Sequence, residues 1–158
     1  MTPDNQAKCA VLGYGSWATA IVKTLTTNRH HVEWLVLNDD IRQSLIERGR
    51  NPKYLPWCDI DREYINPSAD INEVVRNANV VFLAMPSAFV GKFLEPLTES
   101  LSDKIVVSAV KGIIPGDYLT IVEHVHRYYD VPMKNLVVVT GPSHAEEVGQ
   151  CRLSYPTV

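Results

Sequence analysis

Four apolar residues, Cys9-Ala10-Val11-Leu12, run without a break into Gly13-Tyr14-Gly15, and beyond the glycines Ala18, Ile21, Val22 and Leu25 return at the spacing of one helical face. An unbroken apolar run marks a parallel strand covered on both faces, and a 3.6-residue period marks a half-buried helix, so the stretch predicts strand, tight turn, helix. The pattern then repeats. Asn28 closes the helix, His31 to Leu37 reads as a second buried strand, and Asp40-Ile41-Arg42-Gln43 is a capping-box signature for a helix with Ile41, Leu45 and Ile46 as its stripe and Gly49 as its stop. The loop Asn51-Pro52-Lys53-Tyr54-Leu55-Pro56-Trp57 is too proline-rich for regular structure, yet its apolar content requires that it pack on something.

Tyr64-Ile65-Asn66 is a short strand candidate, and Asp70-Ile71-Asn72-Glu73 a second capping box for a brief helix bearing Ile71, Val74 and Val75. Val80 to Ala84 predicts a buried strand ending at Met85-Pro86-Ser87, where Ser87 can cap a helix carrying Val90, Phe93, Leu94 and Leu97. Ile105 to Ala109 is the next strand, closed by Lys111-Gly112. Asp117 is expected to open a helix through Tyr129 with Leu119, Val122 and His126 on one face, and Leu136 to Thr140 is the last buried strand, delivering Gly141-Pro142-Ser143. Strands alternating with helices predict an α/β fold: a Rossmann-type doubly wound parallel sheet, helices on both faces, in the strand order 3-2-1-4-5-6.

Composition narrows the picture. The chain has 158 residues, 46% of them hydrophobic, enough for one well-packed domain but not for a second. A formal charge of −3 with no basic block argues against nucleic acid as a partner. The polar start Met1 to Gln6 does not resemble a signal peptide and no apolar run could span a bilayer, which implies a cytoplasmic protein without an integral membrane segment. Cys9, Cys58 and Cys151 are odd in number and scattered, reading as reduced thiols without zinc spacing; His124 and His126, two apart on a helix, point different ways, so no metal site is expected.

Ligands of such a sheet gather beyond the carboxyl ends of its strands, where Gly13 to Trp17, Leu37 to Asp40, Pro86 with Ser87, Lys111 with Gly112, and Gly141 to Ser143 all fall. In G-x-G-x-x-A, Gly13 supplies the sharp turn, Gly15 allows close approach to a pyrophosphate, and Ala18 is the small position where helix meets strand. The diphosphate would then lie over free amides at the helix N-terminus; the structural alternative is an ordinary glycine turn.

Together with Asn51-Pro52-Lys53-Tyr54-Leu55-Pro56, these loops resemble the N-terminal, cofactor-binding domain of NAD(P)-dependent glycerol-3-phosphate dehydrogenase of the bacterial type. The matching stretches are Gly13 to Ala20, Asn51 to Pro56, Met85-Pro86-Ser87, Val110-Lys111-Gly112 and Gly141-Pro142-Ser143-His144-Ala145, over essentially the whole chain. The resemblance implies cofactor contacts from Gly13, Gly15, Ser16, Trp17, Asn38, Tyr54, Pro86, Lys111 and Ala145, and substrate contacts from Lys111, Gly141 and Ser143. A lysine at a strand's carboxyl end suits a dianionic substrate. Each has a bland alternative: Lys111 as a solvated loop lysine, Ser143 as a cap paired with Glu146, Trp17 as core, Tyr54 as a loop anchor.

The resemblance further implies hydride transfer between NAD, or NADP, and sn-glycerol 3-phosphate or dihydroxyacetone phosphate, feeding phospholipid synthesis, with a homodimer open to the full-length enzyme. Leu37-Asn38-Asp39-Asp40 lacks the basic residue of NADP-preferring relatives, and two carboxylates repel a 2′-phosphate, so NAD is favoured. Ala18 stands where the family usually has glycine. The family's catalytic base is a lysine in a second, mostly helical domain, so no catalytic residue is assigned here and the chain is expected to be the cofactor-binding part of a longer enzyme. Two other readings stay open: another dehydrogenase with a similar N-terminal domain, such as a ketopantoate reductase or hydroxyacyl-CoA dehydrogenase, and a stand-alone NAD(H)-sensing module.

Overall fold

The computed structural model describes residues 7–158; the polar Met1 to Gln6 stretch lies outside them. Six strands form one sheet: β1 (Cys9–Leu12), β2 (Val32–Leu35), β3 (Ile65–Ser68), β4 (Val80–Leu83), β5 (Ile105–Ser108) and β6 (Leu136–Val138), all pairings parallel and in the order β3-β2-β1-β4-β5-β6. The helices are α1 (Ser16–Thr27), α2 (Asp39–Arg48), α3 (Ile71–Arg76), α4 (Val90–Leu94), α5 (Ile121–Tyr129) and α6 (Ala145–Gly149). The expected Rossmann-type order is the one observed.

Register sets the working edge. Leu12, Leu35, Leu83 and Ser108 pair in one row, so the loops after β1, β2, β4 and β5 leave the sheet side by side. The chain runs outward in opposite directions from β1 and β4, and the crevice between their exits is where such sheets hold ligands.

Alternation along β1 divides the core. Ala10 and Leu12 face a cluster with Val74, Leu83, Leu94 and Val125, while Val11 faces one with Ala18, Val22, Trp34, Ile41 and Leu45. Both faces are therefore dry, which is why β1 is apolar at every position. Leu12, Leu35 and Leu45 are fully buried, each contributing about 1.5–3 kcal/mol. The Asn51 to Trp57 loop does pack: Leu55, with Cys58 just beyond the loop, joins the second cluster, although Trp57 stays exposed.

Four expectations about element ends are corrected. The cap of α2 is Asn38, whose Oδ1 accepts from the Ile41 amide at 3.0 Å, not Asp40, which lies in the first turn; Asn38 follows β2 with extended backbone and so meets the cap requirement earlier. Ser87 caps nothing, because the Phe89 amide bonds the Pro86 carbonyl and forms a tight 3-10 turn ahead of α4. α5 starts behind Thr120 rather than at Asp117. A complete Thr120–Glu123 capping box fixes that start, and it turns Ile121, His124 and Val125 inward instead of Leu119, Val122 and His126. Asp117 remains in the preceding turn and meets His124 Nδ1 at 3.2 Å. Finally, β6 is only half-buried, being the edge of the sheet, and is shorter than the Leu136 to Thr140 run.

Cys9, Cys58 and Cys151 are free thiols, and burial pushes the titration of Cys9 and Cys58 upward, keeping both protonated.

Candidate functional site

The turn after β1 is built against β4. Gly13 has φ 120°, and a Cβ there would sit 2.3 Å from the Ala84 carbonyl oxygen, so only glycine fits beneath the exit of the neighbouring strand. Gly15 differs. Its φ is −75°, and among the described residues a Cβ would meet nothing within 4 Å. The protein's own packing does not need a glycine at this position; the space above it is open to a ligand. Gly15 is also the N-cap of α1, and among the described residues no side chain caps that helix, so its first-turn amides have no side-chain acceptor there.

A cleft of about 770 Å³ opens over this turn. Five of the residues proposed from sequence line it together, Gly13, Gly15, Ser16, Tyr54 and Pro86, joined by Tyr14, Leu37 and Met85. The structure adds Phe89, Lys92 and Phe93, which sequence reasoning missed. An aromatic three residues beyond a strand-ending proline was the available signal for Phe89. Asn38 sits beside the cleft-lining Leu37, but its Oδ1 is occupied by the α2 cap.

Charge at the end of β2 also changes. Arg42 donates from Nη1 to the Val36 carbonyl at 3.0 Å and from Nη2 to Asp39 Oδ1 at 2.6 Å. A guanidinium thus neutralises one of the two carboxylates that favoured NAD over NADP, which weakens that electrostatic argument.

The remaining candidates fall elsewhere. Trp17 and Ser143 line a second groove of about 410 Å³, between α1, the α6 segment and the sheet face carrying Phe82, Ala109 and Val139. Trp17 packs against the second core cluster and is absent from the glycine-turn cleft. Ser143 forms no capping box with Glu146, because His144 is the N-cap of α6 and makes no side-chain bond there. Lys111 is exposed and lines neither cavity, although a Cβ at the adjacent Gly112 would come within 3.4 Å of Ser87 Oγ, so its turn abuts the one after β4. Gly141 has φ 104°, and a Cβ would lie 2.6 Å from the Tyr155 carbonyl oxygen; the Thr140–Thr157 bridge passes over it. Ala145 opens α6 and packs on the second cluster.

A parallel sheet with its order reversing at β1 and β4, and a glycine turn feeding an uncapped helix at that crevice, defines a Rossmann-like α/β domain. Residues 8–158 match the family described as the N-terminus of NAD-dependent glycerol-3-phosphate dehydrogenase, and the chain belongs to that family. It is 33% identical over 141 residues to the NAD(P)+ glycerol-3-phosphate dehydrogenase of Halalkalibacterium halodurans, covering 88% of this chain and 40% of the relative. The Bacillus subtilis enzyme of the same name is 35% identical over 153 residues, covering 95% and 43%. Among solved structures, glycerol-3-phosphate dehydrogenase from Coxiella burnetii superposes with TM-score 0.77 at 24% identity over 92% of this chain and 44% of that one. The yeast enzyme gives TM-score 0.83 at 20% identity, over 96% and 46%. At these identities the structures show the fold. The chain spans about two fifths of the length of the curated relatives it matches.

Proposed function

We propose that this chain binds NAD(H) in the glycine-turn cleft and forms the cofactor-binding part of an oxidoreductase that interconverts sn-glycerol 3-phosphate and dihydroxyacetone phosphate. The observation that carries the cofactor reading is the open space over Gly15, where the chain's own packing leaves a side chain free to stand and only a group pressed against the backbone would forbid it. The uncapped first turn of α1 supports it, since amides and helix dipole together favour a diphosphate. Bound there, the nicotinamide would supply hydride acceptance and donation; the chain's own share is to hold and orient it. Gly13, Gly15 and Ser16 would hold the pyrophosphate, with Tyr54, Pro86 and Leu37 closing the walls.

Lys111, Gly141 and Ser143 are proposed for the substrate side, Lys111 as a point charge toward its phosphate. Trp17 and Ala145 then act from beneath the cofactor face rather than from the cleft itself. With Arg42 drawing on Asp39, NADH is proposed to bind at least as tightly as NADPH, but by a narrow margin. The substrate chemistry proposed is that of the glycerol-3-phosphate dehydrogenases to which the chain is similar. Among the described residues no helix is long and apolar enough to cross a membrane, and a cytoplasmic location with a homodimeric full-length enzyme belongs to the same proposal.

The test is Gly15→Ala. The methyl group costs the folded protein nothing sterically, so thermal unfolding should be unchanged, while NADH affinity measured by titration calorimetry falls on the order of tenfold or more. Equal NADH affinity in the two proteins would sink the placement of the pyrophosphate.

A further inference from the structure

The phosphate-facing turn is shaped by side chains that never enter the cleft. Three consecutive carbonyls are drawn into the protein: that of Gly13 accepts from Trp34 Nε1 at 2.7 Å, that of Tyr14 from Asn51 Nδ2 at 2.9 Å, and that of Gly15 from Thr19 Oγ1 at 2.9 Å. Asn51 Nδ2 also donates to Thr19 Oγ1 at 3.0 Å. That second bond orients the hydroxyl, which accepts from Asn51 and so gives its own proton to Gly15. In a planar trans peptide the N–H points opposite to the C=O before it. Pinning these carbonyls inward therefore turns the amides of Tyr14, Gly15 and Ser16 away from the packed interior, which is the arrangement that makes a concave anion nest.

Asn51 has the most to do. Its other end, Oδ1, accepts from the amides of Lys53 at 3.2 Å and Tyr54 at 3.1 Å, so both donors and both acceptor sites are used while the residue is completely buried. One side chain thereby ties the cleft-lining Tyr54 segment to the turn below it, across 37 residues of sequence. An ordinary buried asparagine that only staples a loop would have no need to reach two consecutive peptide units of the ligand-facing turn.

We propose that Asn51 is a positioning residue for the diphosphate: directly at Tyr14 and through the Thr19 hydroxyl at Gly15, it aims the amides of Gly15 and Ser16 into the cleft and locks Tyr54 in register with them. The inference rests on the cofactor reading above and concerns which residues make that site competent. It assigns Thr19, a fully buried polar residue, the part of a relay that a valine of the same shape could not play.

The experiment measures NADH affinity and thermal stability of the 158-residue chain as wild type, Asn51→Asp, Thr19→Val and Thr19→Ser, with 1H–15N spectra recorded during addition of inorganic pyrophosphate. Asn51→Asp keeps the acceptor for Lys53 and Tyr54 but removes both donors; Thr19→Ser keeps the relay and Thr19→Val breaks it. Expected are losses of affinity on the order of tenfold for Asn51→Asp and Thr19→Val, near-wild-type binding for Thr19→Ser, and pyrophosphate-induced shifts of the Gly15 and Ser16 amides in wild type and Thr19→Ser only. Folded Asn51→Asp or folded Thr19→Val that binds as wild type, or Thr19→Ser that loses as much as Thr19→Val, overturns the inference. Should Asn51→Asp fail to fold, the Thr19 pair decides alone. Wild-type chain that binds neither NADH nor pyrophosphate would instead overturn the cofactor reading itself.

Discussion

Two glycines at the carboxyl edge of the sheet show how differently its two halves are made. Gly13 and Gly141 both have strongly positive φ, and at each a Cβ would collide with a carbonyl oxygen, of Ala84 in one case and Tyr155 in the other. Gly13 is buried, and its obstacle belongs to the exit of a central strand. Gly141 is half-exposed, and its obstacle belongs to the segment 153–158, where Leu153, Tyr155 and Val158 are 79%, 66% and 85% exposed. A collision in the first place has nowhere to go; in the second the neighbouring backbone can move. The end of the edge proposed for the cofactor is thus pre-formed by buried polar bonds and dry packing, while of the residues proposed for substrate Lys111 is exposed and Gly141 and Ser143 are half-buried, following strands nearer the sheet's outer edge.

The sharpest way to break that contrast is to place the same methyl group at both glycines. Gly13→Ala should destabilise the fold by at least about 3 kcal/mol in denaturant titration, combining strained backbone with a clash against an immobile strand, and should abolish NADH binding. A stable, NADH-binding variant would mean that the β1–β4 junction is looser than its geometry. Gly141→Ala should cost only about 1 kcal/mol and speed amide exchange at Thr140 and Thr157, with NADH affinity unchanged. Global unfolding on the scale of Gly13→Ala would show that the 153–158 segment is integral to the core.

The smallest effect is expected at the start of α5, an exposed capping box away from both glycines. Thr120→Ala removes a capping box and should lower the midpoint of thermal unfolding by roughly 3 °C at neutral pH. Hydrogen bonds from the Thr120 side chain, and then from its backbone, hold the Glu123 carboxyl below its ordinary value of 4.5. A carboxyl titrating lower in the folded state stabilises above its unfolded value and loses that contribution as pH falls through the folded one. The difference between wild type and Thr120→Ala should therefore be full at pH 7 and shrink as pH drops below 4.5. A gap independent of pH down to acid unfolding would remove Glu123 from the cap.

Much of the architecture was legible because it is written at short range. Unbroken apolar runs mark strands covered on two faces, and a helix stripe repeats within a few residues, so Cys9 to Leu12 and the face of α1 are visible locally. Element ends were read less well where two polar residues compete for one cap: Asn38 against Asp40, and Thr120 against Asp117, depend on where the preceding strand or turn leaves the backbone extended. The strand-end rule also points Gly13, Gly15, Ser16 and Pro86 toward one cleft, since the carboxyl ends of a parallel sheet meet at one edge.

What the chain alone determined, then, is the alternation of strands and helices, the strand order and the glycine turn at the switch point, because each follows from a local period or from topology shared by all such sheets. Which cavity a side chain enters was decided only by the tertiary structure. Trp17 looks into the groove beside α6 and not the cleft, Phe89 and Lys92 enter the cleft unannounced, Arg42 returns to Asp39 and Val36, and Asn51 reaches Tyr14 and Thr19 from a loop whose partners its sequence did not name. The reason is physical: helix rotation and loop closure set side-chain direction through packing partners tens of residues away, and a buried amide finds its acceptors only once the elements carrying them have come together.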